Sequence, residues 1–200
     1  PLLGAGLAAA LVAFVAERVA KKELTRSLKI QGNIGRDLVQ ESNIRYGNAL
    51  LVQEIGQASA TIRDRSELIH FVIRAVAQRL DFDRGMILMA DKDRRRLRYV
   101  AGFGYRPENE RLLSGVAFHL DRPGSKGLFV RAFWEQRPFL IEDIERIESD
   151  FSERSREFAR KLGARSLICV PIVYEKRAFG ILAVDNISSK RPLKKSDMNL

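Results

Sequence analysis

Two histidines and one cysteine are the side chains of this 200-residue sequence best suited to metal or nucleophilic chemistry. His70 and His119 lie far apart in the chain, with no cysteine or second histidine at ligand spacing beside either. That arrangement excludes a zinc site of the usual spacing. Cys169 sits inside the apolar run LICVPIV and reads as a small core residue rather than a reactive thiol. A lone cysteine also excludes a disulfide framework and fits a reducing compartment. No defensible Ser-His-Asp arrangement is present. Gly102 and Gly104 are not followed by the Lys-Ser or Lys-Thr of a phosphate loop. Binding, not catalysis, is the chemistry these residues suggest. Most aromatics outside the strand-like runs fall in Ser114–Leu162. We therefore expect a pocket against a sheet, lined by Phe118, Phe129, Phe133, Phe139, Ile141, Phe158 and Ile168, with Asp143, Ser166 and Asp185 as its polar groups. Arg122, Lys126 and Arg131 near its rim would favour an anion; the alternative is that they are solvated helix residues.

The elements that must hold such a pocket are legible from periodicity. Ser166–Tyr174 and Phe179–Ile187 are two nearly continuous apolar runs around Glu175-Lys176-Arg177-Ala178. They predict an antiparallel hairpin with a four-residue turn, at the middle of a sheet covered by helices. Pro171 marks a bend or bulge. Gly85–Ala90, Arg96–Ala101, Gly115–Leu120 and Pro138–Ile141 predict four further strands. Ser66–Leu80, capped by Ser66, places Leu68, Ile69, Val72, Ile73, Val76 and Leu80 on one helical face. Further helices are predicted within Gly124–Gln136 and Asp150–Leu162, the latter with Phe151, Phe158 and Leu162 facing inward. The class is α+β: a mainly antiparallel sheet of about six strands with helices on both faces, preceded by a long N-terminal helix.

Residues 1–16, PLLGAGLAAALVAFVA, carry no charge and are followed at once by Glu17, Arg18, Lys21 and Lys22. This reads as the inner half of a membrane span, with a buried Ala/Leu helix as the alternative. Residues 17–49 read as a connecting helix, and 50–200 as the folded domain. Leu51, Ile55, Ala58 and Ile62 follow a 4-3-4 spacing, as in a helical seam facing a second copy of the chain; an unpaired helix lying on its own domain is the other reading. The sequence does not start with Met and stops just after Ser196-Asp197-Met198, which reads as a helix start, so a fragment cut at both ends is expected. The net charge of +10 would suit nucleic acid or an anionic membrane surface. No basic-aromatic stripe or recognition helix supports nucleic acid as a partner.

Five stretches, in this order and spacing, resemble a GAF domain, a small-molecule sensor module related in fold to PAS domains. They are Ala101-Gly102-Phe103-Gly104, Ser125-Lys126-Gly127, Arg137–Asp143, Ala164–Ile172 and Phe179–Asn186. The resemblance covers roughly Leu50–Leu200. It implies a twisted antiparallel sheet with dimer-forming helices on one face and a loop-and-helix cover over a pocket on the other. It further implies a regulatory, ligand-sensing role rather than an enzymatic one. The output would be of the histidine-kinase, nucleotide-cyclase or diguanylate-cyclase kind, and the apolar start with its basic flank would anchor the domain at the cytoplasmic side of a membrane; a ligand-free dimerisation and relay module is the alternative. No resident cofactor is expected. Haem-binding relatives use a His in the segment before the long hairpin, and Asp150–Arg165 has none. Bilin-binding relatives use a Cys in the cover, whereas Cys169 is in a strand. Free-methionine sulfoxide reductases of this fold need several cysteines. The cyclic-nucleotide signature is only partly matched: Asn186 lacks its Lys, Leu193 stands for a Phe, and Asp197 is followed by Met198.

Overall fold

The structure is a computed structural model and describes residues 39, 42–43, 45–122, 124–145, 153–189 and 191–198. The chain divides into two compact units, Pro1–Arg45 and Tyr46–Leu200, and every element below belongs to the second. The apolar stretch 1–16, nearly all of the connecting segment 17–49 and Phe151 lie outside the described residues. Among the described residues no helix is long and apolar enough to cross a membrane.

Aliphatic runs form six strands: β1 (Arg84–Ala90), β2 (Arg96–Phe103), β3 (Ala117–His119), β4 (Phe139–Ile141), β5 (Leu167–Tyr174) and β6 (Arg177–Asp185). All pairings are antiparallel, in the order β3-β2-β1-β6-β5-β4. The helices are α1 (46–61), α2 (Arg65–Arg79), α3 (Pro107–Gly115), α4 (Leu128–Glu135) and α5 (Glu153–Leu162), followed by a 3-10 turn at Lys195–Met198. The period of two sorts the strand residues onto two buried faces. Met86, Leu88, Leu97, Leu167, Cys169, Ile181 and Ala183 pack with the apolar sides of α3, α4 and α5. Ile168, Leu182 and Val184 pack beneath α1 and α2, and Ile87 and Ala101 beneath α2. Two covered faces explain why these strands read as continuous rather than alternating hydrophobic runs.

Several expectations are corrected. The β5–β6 hairpin is not centred on the sheet; only its β6 arm is, because β1 pairs along the other edge of β6 from Arg84↔Asp185 to Met89↔Gly180. Its turn is two residues, Glu175 and Lys176, both at positive φ (48° and 60°). Paired positive φ values match the twist of the flanking strands, so Arg177 and Ala178 already belong to β6. A register shift then leaves Phe179 as an extra residue between Ala178 and Gly180. Gly180 is required where it stands: a Cβ there would meet the Leu88 carbonyl oxygen at 2.4 Å. The cap of α2 is Asp64, whose Oδ1 accepts the Glu67 amide at 2.8 Å, and Ser66 lies inside the helix. Helix α3 was not expected; it is polar, starts at Pro107 and buries only Leu113.

The predicted seam of α1 is turned onto its own domain. Leu51 and Ile55 share a cluster with Ala75 and Val76 of α2, Ile168, Val184, and Leu193 and Met198 of the C-terminal segment. Ala58 is buried as well, and Ile62, just past α1, is half-buried. The N- and C-terminal ends of this unit thus meet on one face of the sheet, opposite α4 and α5.

Candidate functional site

Three phenylalanines from three elements converge on the α4/α5 face. Phe118 of β3 meets Phe129 of α4 edge-on at 4.9 Å between ring centroids, and Phe158 of α5 at 5.1 Å. Phe129 and Phe158 are themselves edge-on at 6.4 Å. Such T-shaped packing is favoured by the ring quadrupole and holds rings rigidly. Around them lie two compartments that share Phe118, Gly127, Ser155 and Phe158. The inner one, of about 50 Å³, is closed by Leu128, Phe129, Ile141, Ile144, Ala159 and Leu167, with Arg156 at its edge. The outer one, of about 180 Å³, carries Leu112, Val116 and Val130 on its apolar side and His119, Arg122, Ser125, Glu157 and Lys161 around its mouth. Gly127, the N-cap of α4, has no side chain to cap the helix and borders both compartments.

The local chemistry of the mouth is mixed. Lys161 Nζ lies 2.7 Å from Glu157 Oε1, and His119 Nδ1 lies 3.4 Å from Asp121 Oδ1. Arg131 lies beyond the outer compartment and pairs with Glu135 at 2.9 Å. The Arg131 and Arg137 guanidiniums hold the Glu135 carboxyl below its usual range. Lys126 lines neither compartment.

The structure brings four of the expected pocket residues together in the inner compartment: Phe118, Phe129, Ile141 and Phe158. The others stand elsewhere. Phe133 is fully buried in the core, edge-on to Trp134 at 5.2 Å. Phe139 lies beneath the guanidiniums of Arg137 at 4.0 Å and Arg131 at 5.2 Å. Asp143 Oδ1 accepts the Glu145 amide at 3.1 Å, closing a turn. Ser166 is half-buried just before β5 and lines neither compartment. Ile168 is on the opposite face of the sheet, because strand alternation gives the pocket side to Leu167 and Cys169. Burial pushes the Cys169 thiol far up, so it stays protonated.

Asp185, expected in the pocket, is instead half of a buried ion pair at the end of β6. Arg84 Nε donates to its Oδ1 at 2.8 Å and Nη2 to its Oδ2 at 2.7 Å. The third branch, Nη1, donates to the Leu162 carbonyl at the end of α5 at 2.8 Å. The Tyr105 ring lies 5.0 Å from the guanidinium carbon. Burial raises the Asp185 carboxyl above its ordinary value, against the pull of Arg84. Next in the chain, Asn186 Oδ1 accepts the Asp83 amide at 3.0 Å, and its Nδ2 donates to the Arg191 carbonyl at 3.3 Å. Arg191 in turn donates to Asp197 Oδ2 at 3.0 Å. A continuous polar path therefore runs from the last turn of α5 to the C-terminal segment. Sequence reasoning picked Asp185 for its polarity and missed Arg84, which reads as the charged edge of a strand.

Among the described residues no group of three or more His, Cys, Asp or Glu could hold a metal ion. The family model for the GAF domain matches residues 64–200. A crystal structure of a methyl-accepting chemotaxis protein is 32% identical over 72% of this chain and 86% of that one, with a TM-score of 0.60. The GAF domain of a phosphoenolpyruvate-protein phosphotransferase from Coxiella burnetii is 14% identical, covering 79% of this chain and 85% of that one, with a TM-score of 0.58. The A. aeolicus nlh2 GAF domain in an inactive state is 20% identical, covering 72% of this chain and 83% of that one, with a TM-score of 0.54. No curated protein sequence matches this chain.

Proposed function

Because the chain belongs to the GAF domain family, we propose that it is the regulatory, ligand-sensing domain of a signal-transduction protein, driving an output of the kinase or cyclase kind. The observation that carries this reading is the cavity between the sheet and α4/α5, apolar within and polar at its mouth. A ligand there touches α5 through Phe158 and Ser155. Arg84 ties the end of α5 to Asp185, and the neighbouring Asn186 and Arg191 tie that corner to the C-terminal segment. That segment packs with α1 through Leu193 and Leu51. A ligand shifts the output only if it binds two arrangements of this assembly with different affinity. The chemotaxis protein at 32% identity supports a signalling context.

Native mass spectrometry of the purified protein, before and after mild denaturing exchange, tests the reading. A stoichiometric small molecule should be retained and then lost. Spin labels at Gln57 and Lys195, both exposed, should change their distance distribution between the two preparations. Identical distributions with a molecule demonstrably bound would defeat the relay, and stripped protein that rebinds nothing would defeat the sensing role.

A second reading is a dimerisation and relay module without a ligand. It is favoured by Tyr46 and Val52, exposed large side chains on α1. Sedimentation equilibrium of Tyr46→Glu/Val52→Glu protein decides it, since a dimer built on that surface should dissociate.

A further inference from the structure

We infer that the cavity takes a small organic carboxylate whose apolar body is no larger than a single ring, with Arg122 as the cation that anchors it. The inference rests on the sensing reading and adds the chemical class of the ligand.

Size comes first. The outer compartment, about 180 Å³, is comparable to the ~150 Å³ cavity that binds benzene in another protein. The inner compartment adds room for only a substituent of one or two atoms, at about 50 Å³. A nucleotide or a tetrapyrrole exceeds both; the adjoining hollow of about 410 Å³, which shares Arg122, Ser125 and Val130, is a shallow surface open to solvent along Asp121, Arg131 and Trp134.

Polarity is sorted along the cavity. Leu128, Phe129, Ile141, Ile144 and Leu167 surround the inner compartment, where a charged head group would lose its hydration without compensation. Arg156, at the edge of the inner compartment, is paired with Glu153, while most charged side chains gather at the outer mouth. There Lys161 is matched by Glu157 and His119 by Asp121. Among the described residues Arg122 faces the outer compartment with no carboxylate or hydrogen-bond partner. Its planar fork suits a carboxylate in two-point contact. Ser125 lines the same compartment and can donate its hydroxyl hydrogen to the second oxygen. The ring of the ligand then lies against Phe118 and Phe158, which border both compartments.

The test uses benzoate, benzamide and benzylamine as carboxylate, neutral and cationic probes of one shape, with inorganic phosphate as an anion lacking the apolar body. Binding to the purified protein is followed by calorimetry and by ¹⁵N chemical shifts. Benzoate should perturb Phe118, Val130 and Ser155, and bind roughly twofold to fivefold more tightly than benzamide, as an ion pair to an exposed guanidinium implies. Phosphate and benzylamine should bind at least tenfold more weakly than benzoate. In Arg122→Gln protein the benzoate-to-benzamide ratio should fall toward one while the thermal midpoint is unchanged. Val130→Trp, which fills the outer compartment, should abolish binding of both. Equal affinity of benzoate and benzamide, or an unaltered ratio in Arg122→Gln, overturns the carboxylate class and leaves the cavity as a sensing site. Phosphate binding as tightly as benzoate overturns the apolar-body requirement. No saturable binding of any probe at ~10 mM, ~100-fold weaker than typical substrate affinities, overturns the inference; a neutral or cationic molecule retained in native mass spectrometry would then leave the sensing reading standing alone.

Discussion

Replacing Arg84 by methionine removes one half of a charge pair and leaves the other half buried. The two side chains are 6% and 3% exposed, so water cannot take the place of the guanidinium. Three hydrogen bonds vanish at once: two to Asp185 and one to the Leu162 carbonyl. Breaking a buried pair from one side costs about 3–5 kcal/mol, because the remaining charge keeps its desolvation penalty and loses its compensation. At about 2–4 °C per kcal/mol for a chain of this size, the thermal midpoint should fall by roughly 10 °C. Asp185 should respond by titrating upward, which softens the loss at mildly acidic pH. The paired variant Arg84→Met/Asp185→Leu removes the stranded charge and should recover most of the loss, to within ~1–2 kcal/mol of the parent, since an apolar pair of similar volume is tolerated at such sites. Urea titration followed by circular dichroism measures all three proteins. If Arg84→Met costs under ~1 kcal/mol, or the paired variant is as unstable as the single one, then the pair is not a desolvated clamp and the path from α5 to the C-terminal segment loses its first link.

Three further outcomes are expected. Leu51→Ala should destabilise the fold by ~2–4 kcal/mol, with no dependence on protein concentration, because Leu51 packs on Val76 and Ile168 of its own chain; a loss that shrinks as concentration rises would assign Leu51 to a contact between copies. Glu175→Asn with Lys176→Gly should stabilise the protein by about 1 kcal/mol, since both positions hold a left-handed backbone that costs ordinary side chains ~1–2 kcal/mol; an unchanged urea midpoint would refute this. Asp83 should titrate below the usual carboxylate range: burial pushes it up, but the Ser188 and Ser189 amides and the Ser189 hydroxyl bond to its Oδ2 and outweigh that push. A depressed folded-state value means this group stabilises the fold above its unfolded value, near 3.9, and that the contribution is lost as pH falls through the lower folded one. The Ser188 and Ser189 amide shifts in an NMR titration should therefore report a midpoint below the ordinary Asp value, and a midpoint at or above it would contradict the geometry.

The class of this protein and most of its strands were legible because burial on two faces leaves a local trace. Leu167–Val173 and Phe179–Val184 are apolar at almost every position, and the helical face of Ile69, Val72, Ile73 and Val76 repeats at helical spacing. Turn conformation left a weaker trace. Glu175-Lys176 adopts positive φ without the Asn or Gly that would announce it, so the register of β6 could not be read ahead of its pairing.

The site was legible in part. Phe118, Phe129, Ile141 and Phe158 were found because large apolar groups in a segment of short elements must converge somewhere. Ile168 and Leu167 were exchanged because a shift of one residue reverses the face of a strand, and only the pairing of β5 with β6 and β4 sets that register. Phe133 and Phe139 share a segment with the pocket residues but not a direction. Arg84 and Asp185 stand 101 positions apart, and their pairing exists only because β1 lies against β6. The Leu51 seam shows the same division. Its helical spacing is a property of the sequence, whereas the partner it faces, a second copy or the sheet of its own chain, depends on where α2 and the C-terminal segment come to rest. Local chemistry thus determined which residues seek burial and in which kind of element. Long-range strand pairing decided what each one meets, because side-chain direction along a strand carries no information about the neighbour until the neighbour is placed.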